Sequence, residues 1–145
     1  PLFDITPMFT PRPQLPPAWV TRLTELRELE PLRWRVFDVD VTALVQAMAT
    51  HPDGVSLQVF PDTRVDLVST GFFNRATYAT WLGRERNAPS SRINLTRAGK
   101  ATVGRADIGG AHYRIVSLDP DTIAIVHYAA APEVDCLVEE VPSAP

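Results

Sequence analysis

The sequence predicts an α+β fold: one principal helix packed on a strongly twisted, mostly antiparallel sheet of about seven hairpin-linked strands, in a roll or open barrel, with a Pro-rich extended arm in front. Three observations carry this. Six prolines crowd "PLFDITPMFTPRPQLPPAW" at residues 1–19. A single stretch after Asp40 repeats its apolar residues at helical spacing. From Val55 to Tyr128 the chain breaks into short alternating runs separated by residues that favour tight turns.

Each proline of the arm fixes its own backbone angle and pushes the residue before it toward extended geometry, so no regular helix is expected there. The apolar residues Leu2, Phe3, Ile5, Met8, Phe9 and Trp19 are too many for a solvated linker. The arm is therefore expected to lie as a strap across another surface. Next, "WVTRLTELRELEPLRWRVFDVD" joins a short helical period (Leu23, Leu26, Leu29) to an alternating stretch (Leu32, Trp34, Val36), with Pro31 between them. Asp40 then stands where a helix N-cap belongs, Val41, Leu44, Val45 and Met48 share one face, and "HPDG" supplies the stop. The strands that follow are "VSLQVF", "RVDLVSTGFF", "ATYATWLGR", "SRINLTR", "KATVGRA", "AHYRIVSL" and "TIAIVHY". Between them lie "PD", "NAPS", "AGK", "DIGG" and "DPD", turn compositions all. "DIGG" is expected to pair residues near 101 to 107 with those near 111 to 117. The boundaries expected are 1–31 for the arm and short helical segment, 32–130 for the α+β core, and 131–145 for a C-terminal segment ending in an unstructured "VPSAP".

At 145 residues, with 45% hydrophobic and 21% charged residues, the chain is long enough to bury one core without a disulfide or metal. The net charge of -3 arises from interleaved signs, which leaves no footprint for a nucleic-acid backbone or an anionic membrane. Neither partner is expected, and no apolar run reaches a membrane span. The single cysteine, Cys136, cannot form an internal disulfide. No compartment follows from it.

The chemistry-bearing residues do not assemble into a catalytic motif. His51, His112 and His127 lack the spacing of a zinc-protease helix. His112 and His127 sit on adjacent expected strands and could face each other, yet two histidines without a third ligand fit a structural role better. No serine occupies a Gly-x-Ser-x-Gly elbow, and "GRADIGG" joins two strands where a phosphate cradle would need a helix start. "NLT" at 94–96 is a glycosylation sequon of consequence only in a eukaryotic secreted protein. Asp62, Asp66 and Asp107 are placed on solvated faces, and the aromatic set Phe72, Phe73, Tyr78, Trp81, Tyr113 and Tyr128 in the core of the sheet.

The order of the strands carries a resemblance. Trp81-Leu82-Gly83 on one strand, the serine-led run Ser90 to Thr96, the hairpin marked by Gly99, Gly104, Gly110, Tyr113 and Ile115, and the closing strand Ile123 to Tyr128 are together similar to the N-terminal pro-domain of secreted bacterial zinc metallopeptidases of the metzincin (reprolysin-like) type. The likeness spans about residues 34 to 136. It departs at Ala106, where a larger aliphatic is usual, and at Ala129 to Ala131, which replace a more acidic stretch.

The resemblance implies a non-enzymatic chain, secreted or periplasmic, that assists folding of a cognate zinc metalloprotease domain and inhibits it. It would have no cofactor of its own. Its metal contact would be the partner's zinc, capped by Cys136, since a thiolate can take the open fourth position of a catalytic zinc. Val134, Asp135 and Leu137 would flank it in the cleft, with Asp135 as the alternative oxygen ligand. Leu137 departs from the glycine that usually follows such a cysteine. The carboxylates Glu133, Asp135, Glu139 and Glu140 raise the free thiol's pKa by repulsion, so zinc itself must drive its deprotonation. The competing expectation is a free-standing secreted β-rich module that binds carbohydrate or protein.

Overall fold

The computed structural model describes residues 2–25 and 33–128. Ten strands form one sheet: β1 (Phe3–Asp4), β2 (Thr10–Pro11), β3 (Arg33–Asp38), β4 (Val55–Phe60), β5 (Thr63–Asn74), β6 (Tyr78–Glu85), β7 (Ala88–Ala98), β8 (Ala101–Ile108), β9 (Ala111–Asp119) and β10 (Thr122–Tyr128). Helix α1 covers Pro17–Glu25 and α2 covers Val41–Thr50. All seven expected strands are present as β4 to β10. The count of about seven is nevertheless too low, because β3 and two short pieces of the arm join the same sheet.

The strand order is β1-β4-β5-β6-β7-β8-β9-β10-β3-β2. Every pairing is antiparallel except β1 with β4. The "DIGG" hairpin pairs Val103 with Val116 through Ile108 with Ala111, as expected. Gly109 and Gly110 both have positive φ, 57° and 81°, the conformation of a two-residue turn whose twist matches the flanking strands.

The arm explains how the sheet rolls. Strand β1 lies on the free edge of β4 and β2 on the free edge of β3, so one short segment ties the two ends of an eight-strand array together. Laid flat, eight strands would separate those ends by about 33 Å. Six residue steps from Asp4 to Thr10 reach at most about 20 Å, and one 3₁₀ turn, Thr6–Met8, shortens the path further. The sheet must therefore curl into a half-barrel. Ile5 and Phe9, between the two short strands, point into its interior at 1% and 7% exposure.

Helix α2 fills the concave face. Asp40 caps it by accepting a hydrogen bond from the Ala43 amide at 3.0 Å, and Val41, Leu44, Val45 and Met48 are all buried. They pack with Phe37, Leu57, Leu67, Trp81, Ile93, Leu95 and Ile125 in the main core. The Trp81 indole lies over Gly83, where a Cβ would fall inside the ring. That close approach supplies a reason for the Trp-x-Gly spacing. Helix α1, begun by Pro17, whose missing N–H costs nothing at that position, covers part of the convex face. There Leu23 packs on Val36, Ala124, Val126 and Tyr128. The helical period seen at Leu23 thus starts earlier than expected, inside the Pro-rich stretch. No helix of the described residues is long and apolar enough to cross a membrane.

Candidate functional site

Strands β3 and β4 do not pair with each other, although the roll brings them to the two sides of one seam. Side chains bridge it. Two arginines two residues apart on β3, Arg33 and Arg35, share the face that carries Phe37, and both reach across. Arg35 donates from Nη1 to the Val59 carbonyl of β4 at 3.0 Å. Arg33 spreads its guanidinium over three partners: Asp62 Oδ1 at 2.8 Å, Thr63 Oγ1 at 2.9 Å and His127 Nδ1 at 3.2 Å. The same guanidinium lies 3.9 Å from the centroid of the Phe60 ring. His127 stacks on Tyr113 with centroids 4.8 Å apart.

This cluster has defined electrostatics. His127 accepts at Nδ1, so its proton is on Nε2 and the ring is neutral. Burial first, and then the Arg33 charge, hold its pKa below the ordinary 6.5. Burial likewise pushes the Tyr113 phenol above 10.0. Asp62 is held below the ordinary 3.8 by its bond from Thr63 and then by Arg33. Behind the cluster lies a wholly apolar cavity of about 60 Å³ lined by Leu57, Val65, Ile93, Ala106, Tyr113 and Ile125 among others. The cluster shuts this end of the half-barrel, and within it the Thr63 hydroxyl donates to Asp62 Oδ1 at 2.8 Å.

A second feature lies on the opposite face of β3, the one that carries Trp34 and Val36. The arm leaves β2, donates the Arg12 amide to the Val36 carbonyl at 2.9 Å, and then stands off the sheet. An open groove of about 590 Å³ results, walled by Pro11, Arg12, Pro13 and Leu15 and floored by Trp34 and Val36. Arg12 stands 4.7 Å over the Trp19 ring and pairs with Asp38 at 3.4 Å. Largely apolar walls with two arginines, Arg12 and Arg35, and a Trp floor suit an extended polypeptide better than a small polar substrate.

The residues singled out from sequence are dispersed. Cys136, Asp135, Val134 and Leu137 lie outside the described residues. His112 and His127 do not face each other: His112 pairs with Tyr128 and His127 with Tyr113, so the two rings leave opposite faces of the sheet. The alternation of side chains along a strand is the reason. His112 instead meets Asp107 across the β8–β9 hairpin, and His51 stacks on Phe3 at 4.0 Å. Asp66 accepts from Ser56 at 2.9 Å. Trp81, Tyr113 and Tyr128 are core residues, whereas Phe72, Phe73 and Tyr78 are not: they are 36%, 43% and 41% exposed. Their part of the β5–β6 hairpin extends past β4 and α2, a tertiary circumstance that alternation cannot reveal. Among the described residues no three His, Cys, Asp or Glu side chains gather as metal ligands would. Sequence reasoning missed Arg33, Phe60 and Thr63. The signal was available in Arg33-Trp34-Arg35, two charges on the inward parity of a strand.

No family model matches the chain, and no curated protein does. A solved structure described as "Structure of a chaperone-substrate complex" superposes with a TM-score of 0.53 at 12% identity, over 66% of this chain and 77% of that one. At that identity the likeness is one of fold: a half-barrel sheet.

Proposed function

We propose that this chain is a non-catalytic polypeptide-binding module that assists the folding of a partner protein and holds it inactive. The groove between the arm and β3 carries the reading. It is open along its length and built from prolines, Leu15 and Trp34, and it offers an apolar path beside a strand edge, the kind of surface that receives extended segments. Among the described residues the interior of the half-barrel, filled by α2, holds apolar cavities of only about 60 Å³ each. A structural neighbour described as a chaperone-substrate complex supports the same class of activity. The resemblance carried by the strand motifs from Trp81 to Tyr128 supplies the finer part of this reading: a partner that is a zinc metalloprotease domain of the same precursor, in a secreted or periplasmic setting, with the Cys136 thiolate capping its zinc.

Two measurements on that precursor test this. The protease domain refolded with this chain in trans should recover more activity than when refolded alone, and Leu15→Asp, which puts a charge in the groove, should remove the gain. Cys136→Ala removes a metal ligand and leaves the surface contacts, so the variant should fold normally and inhibit at least about thirtyfold more weakly, the loss of an anchor worth about 2 kcal/mol. An unchanged inhibition constant with an intact fold would mean that Asp135 or simple occlusion blocks the zinc. A reading frame with no HExxH-bearing domain would remove the protease from the proposal.

A further inference from the structure

Residues directly opposite each other in an antiparallel ladder point to the same side of the sheet. Arg92 lies opposite Asp107 and Asn94 opposite Arg105. Asp107 in turn lies opposite His112, and Arg105 opposite Arg114, while the neighbours of His112 and Arg114 on β10 are Tyr128 and Val126. All of these side chains share the convex face, because the residues alternating with them, Ile93, Ala106 and Tyr113, belong to the main core.

Charges that are interleaved along the chain are thus sorted by the fold. Among the described residues of this patch, Arg92, Arg105 and Arg114 are set against one carboxylate, Asp107. That carboxylate is divided between Arg105 Nε, at 3.7 Å, and His112 Nδ1. Arg105 and Arg114 are like charges directly opposite each other, an arrangement that costs stability and that an anion lying over both would offset. The next row of the same face, Thr96, Val103 and Val116, is uncharged. The basic patch is therefore confined to the end of the sheet at which β10 finishes.

We propose that this patch is the dock of the chain's own acidic segment, residues 133–140. Residues 129–145 carry Glu133, Asp135, Glu139 and Glu140 and no Lys, Arg or His, so the segment complements the patch in sign. Its starting point suits it too, since Tyr128 is the ladder neighbour of His112. Strands β9, β8 and β7 lie about 5, 10 and 14 Å from β10, and the five residue steps from Tyr128 to Glu133 reach up to about 18 Å. Residues 26–32 are a poorer occupant, because Arg27 offsets one of Glu28 and Glu30. A second molecule's acidic segment is poorer again, because the chain's own is held at high effective concentration. Docking keeps Cys136 on the convex face until another site competes for the segment. The capping role proposed above would make the partner's zinc that competitor, and that consequence alone rests on it.

The chain has one lysine, Lys100, in the turn at the far end of β8, and one thiol, Cys136. Carbodiimide, which joins an amine to a carboxylate, can therefore report on a single introduced lysine. Arg114→Lys and, separately, Arg105→Lys keep the charge of the patch. In the full chain at low salt each introduced lysine should be joined to Glu133, Asp135, Glu139 or Glu140 within one molecule, as read by mass spectrometry of the digest. Lys100 should not be joined to them. At about 1 M salt, where charges are screened within about 3 Å, the yield should fall severalfold. As a second readout, a nitroxide on Cys136 should broaden the amide signals of Arg105 and Arg114 in the otherwise unaltered chain. In Arg105→Glu/Arg114→Glu, with circular dichroism confirming the fold, that broadening at β8 and β9 should be lost. The proposal is overturned by the absence of any link to residues 133–140, or by links to Glu28 or Glu30 in their place. Links found only between two molecules, an equal yield at Lys100, or broadening that survives the charge reversal overturn it as well. None of these readouts involves a protease, so the dock and the folding role can fail separately.

Discussion

Ala106 shows how one residue can be read from both sequence and structure. It is where the sequence departs from the larger aliphatic of the pro-domain pattern it resembles, and in the fold it borders the apolar cavity of about 60 Å³. An empty volume of that size costs about 1.4 kcal/mol in lost contacts. Ala106→Val should recover about 1 kcal/mol of it, helped by the preference of β-branched side chains for strands. Urea denaturation would measure this as a higher midpoint at unchanged slope, and a lower midpoint would mean that the surrounding side chains cannot admit two methyl groups. Gly83 and Gly104 sit on the same concave face and could not be enlarged in this way. A Cβ on either would overlap, respectively, the Trp81 ring and the Asn94 carbonyl. The cavity at Ala106 was invisible in the sequence, since it depends on how side chains from six strands meet.

Among the elements, β4 to β10 were legible because each has two independent signatures, alternation within the run and turn chemistry at its ends. Strand β3 had the alternation without a clean turn, and β1 and β2 are two-residue pairings that no periodicity can reveal. The seam between β3 and β4 was equally hidden, because it is closed by Arg33, Arg35 and His127 in place of a strand ladder. Its acid response can be derived. The groups around His127 are Arg33 from β3, Phe60 from β4, Asp62 from the β4–β5 turn and Tyr113 from β9, with His112 acting from the other face of β9, and burial followed by Arg33 holds the imidazole pKa below its ordinary 6.5. The unfolded chain therefore binds the proton first as pH falls through 6.5, so stability declines below that pH and is flat just above it. Protonation at Nδ1 also removes the acceptor that Arg33 uses. His127→Phe keeps the stack on Tyr113 and should flatten the decline between pH 6.5 and lower values, leaving only the carboxylate losses at more acidic pH. Denaturant midpoints across this range, wild type against variant, check it, and parallel curves would assign the acid response to other groups.

At the scale of the whole molecule the arm determines whether the sheet is a half-barrel or an open, twisted sheet. The sequence showed that a strap was present, from its prolines and its excess of apolar residues, but gave no sign that its target was the chain's own two sheet edges. Docking there is cooperative: the Phe3 amide bonds to Gly54, the Ile5 amide to Ser56 and the Arg12 amide to Val36, at 3.2, 2.9 and 2.9 Å, while Thr6 Oγ1 accepts the Gln58 amide at 2.9 Å. Ile5 and Phe9 are consequently core residues despite their surroundings in sequence, and their truncation should behave accordingly. Ile5→Ala is expected to cost about 2–5 kcal/mol and Phe9→Ala about 3–5 kcal/mol, where truncation of an exposed residue of the same arm, such as Phe3, should cost much less. Removing residues 1–12 altogether releases both edges at once. Amide exchange should then accelerate at β4 and β3 together, although the two strands lie seven places apart in the sheet order, while the β6–β9 hairpins stay protected. Exchange confined to β4 would mean that the seam arginines alone hold the roll closed and that the arm is only a cover.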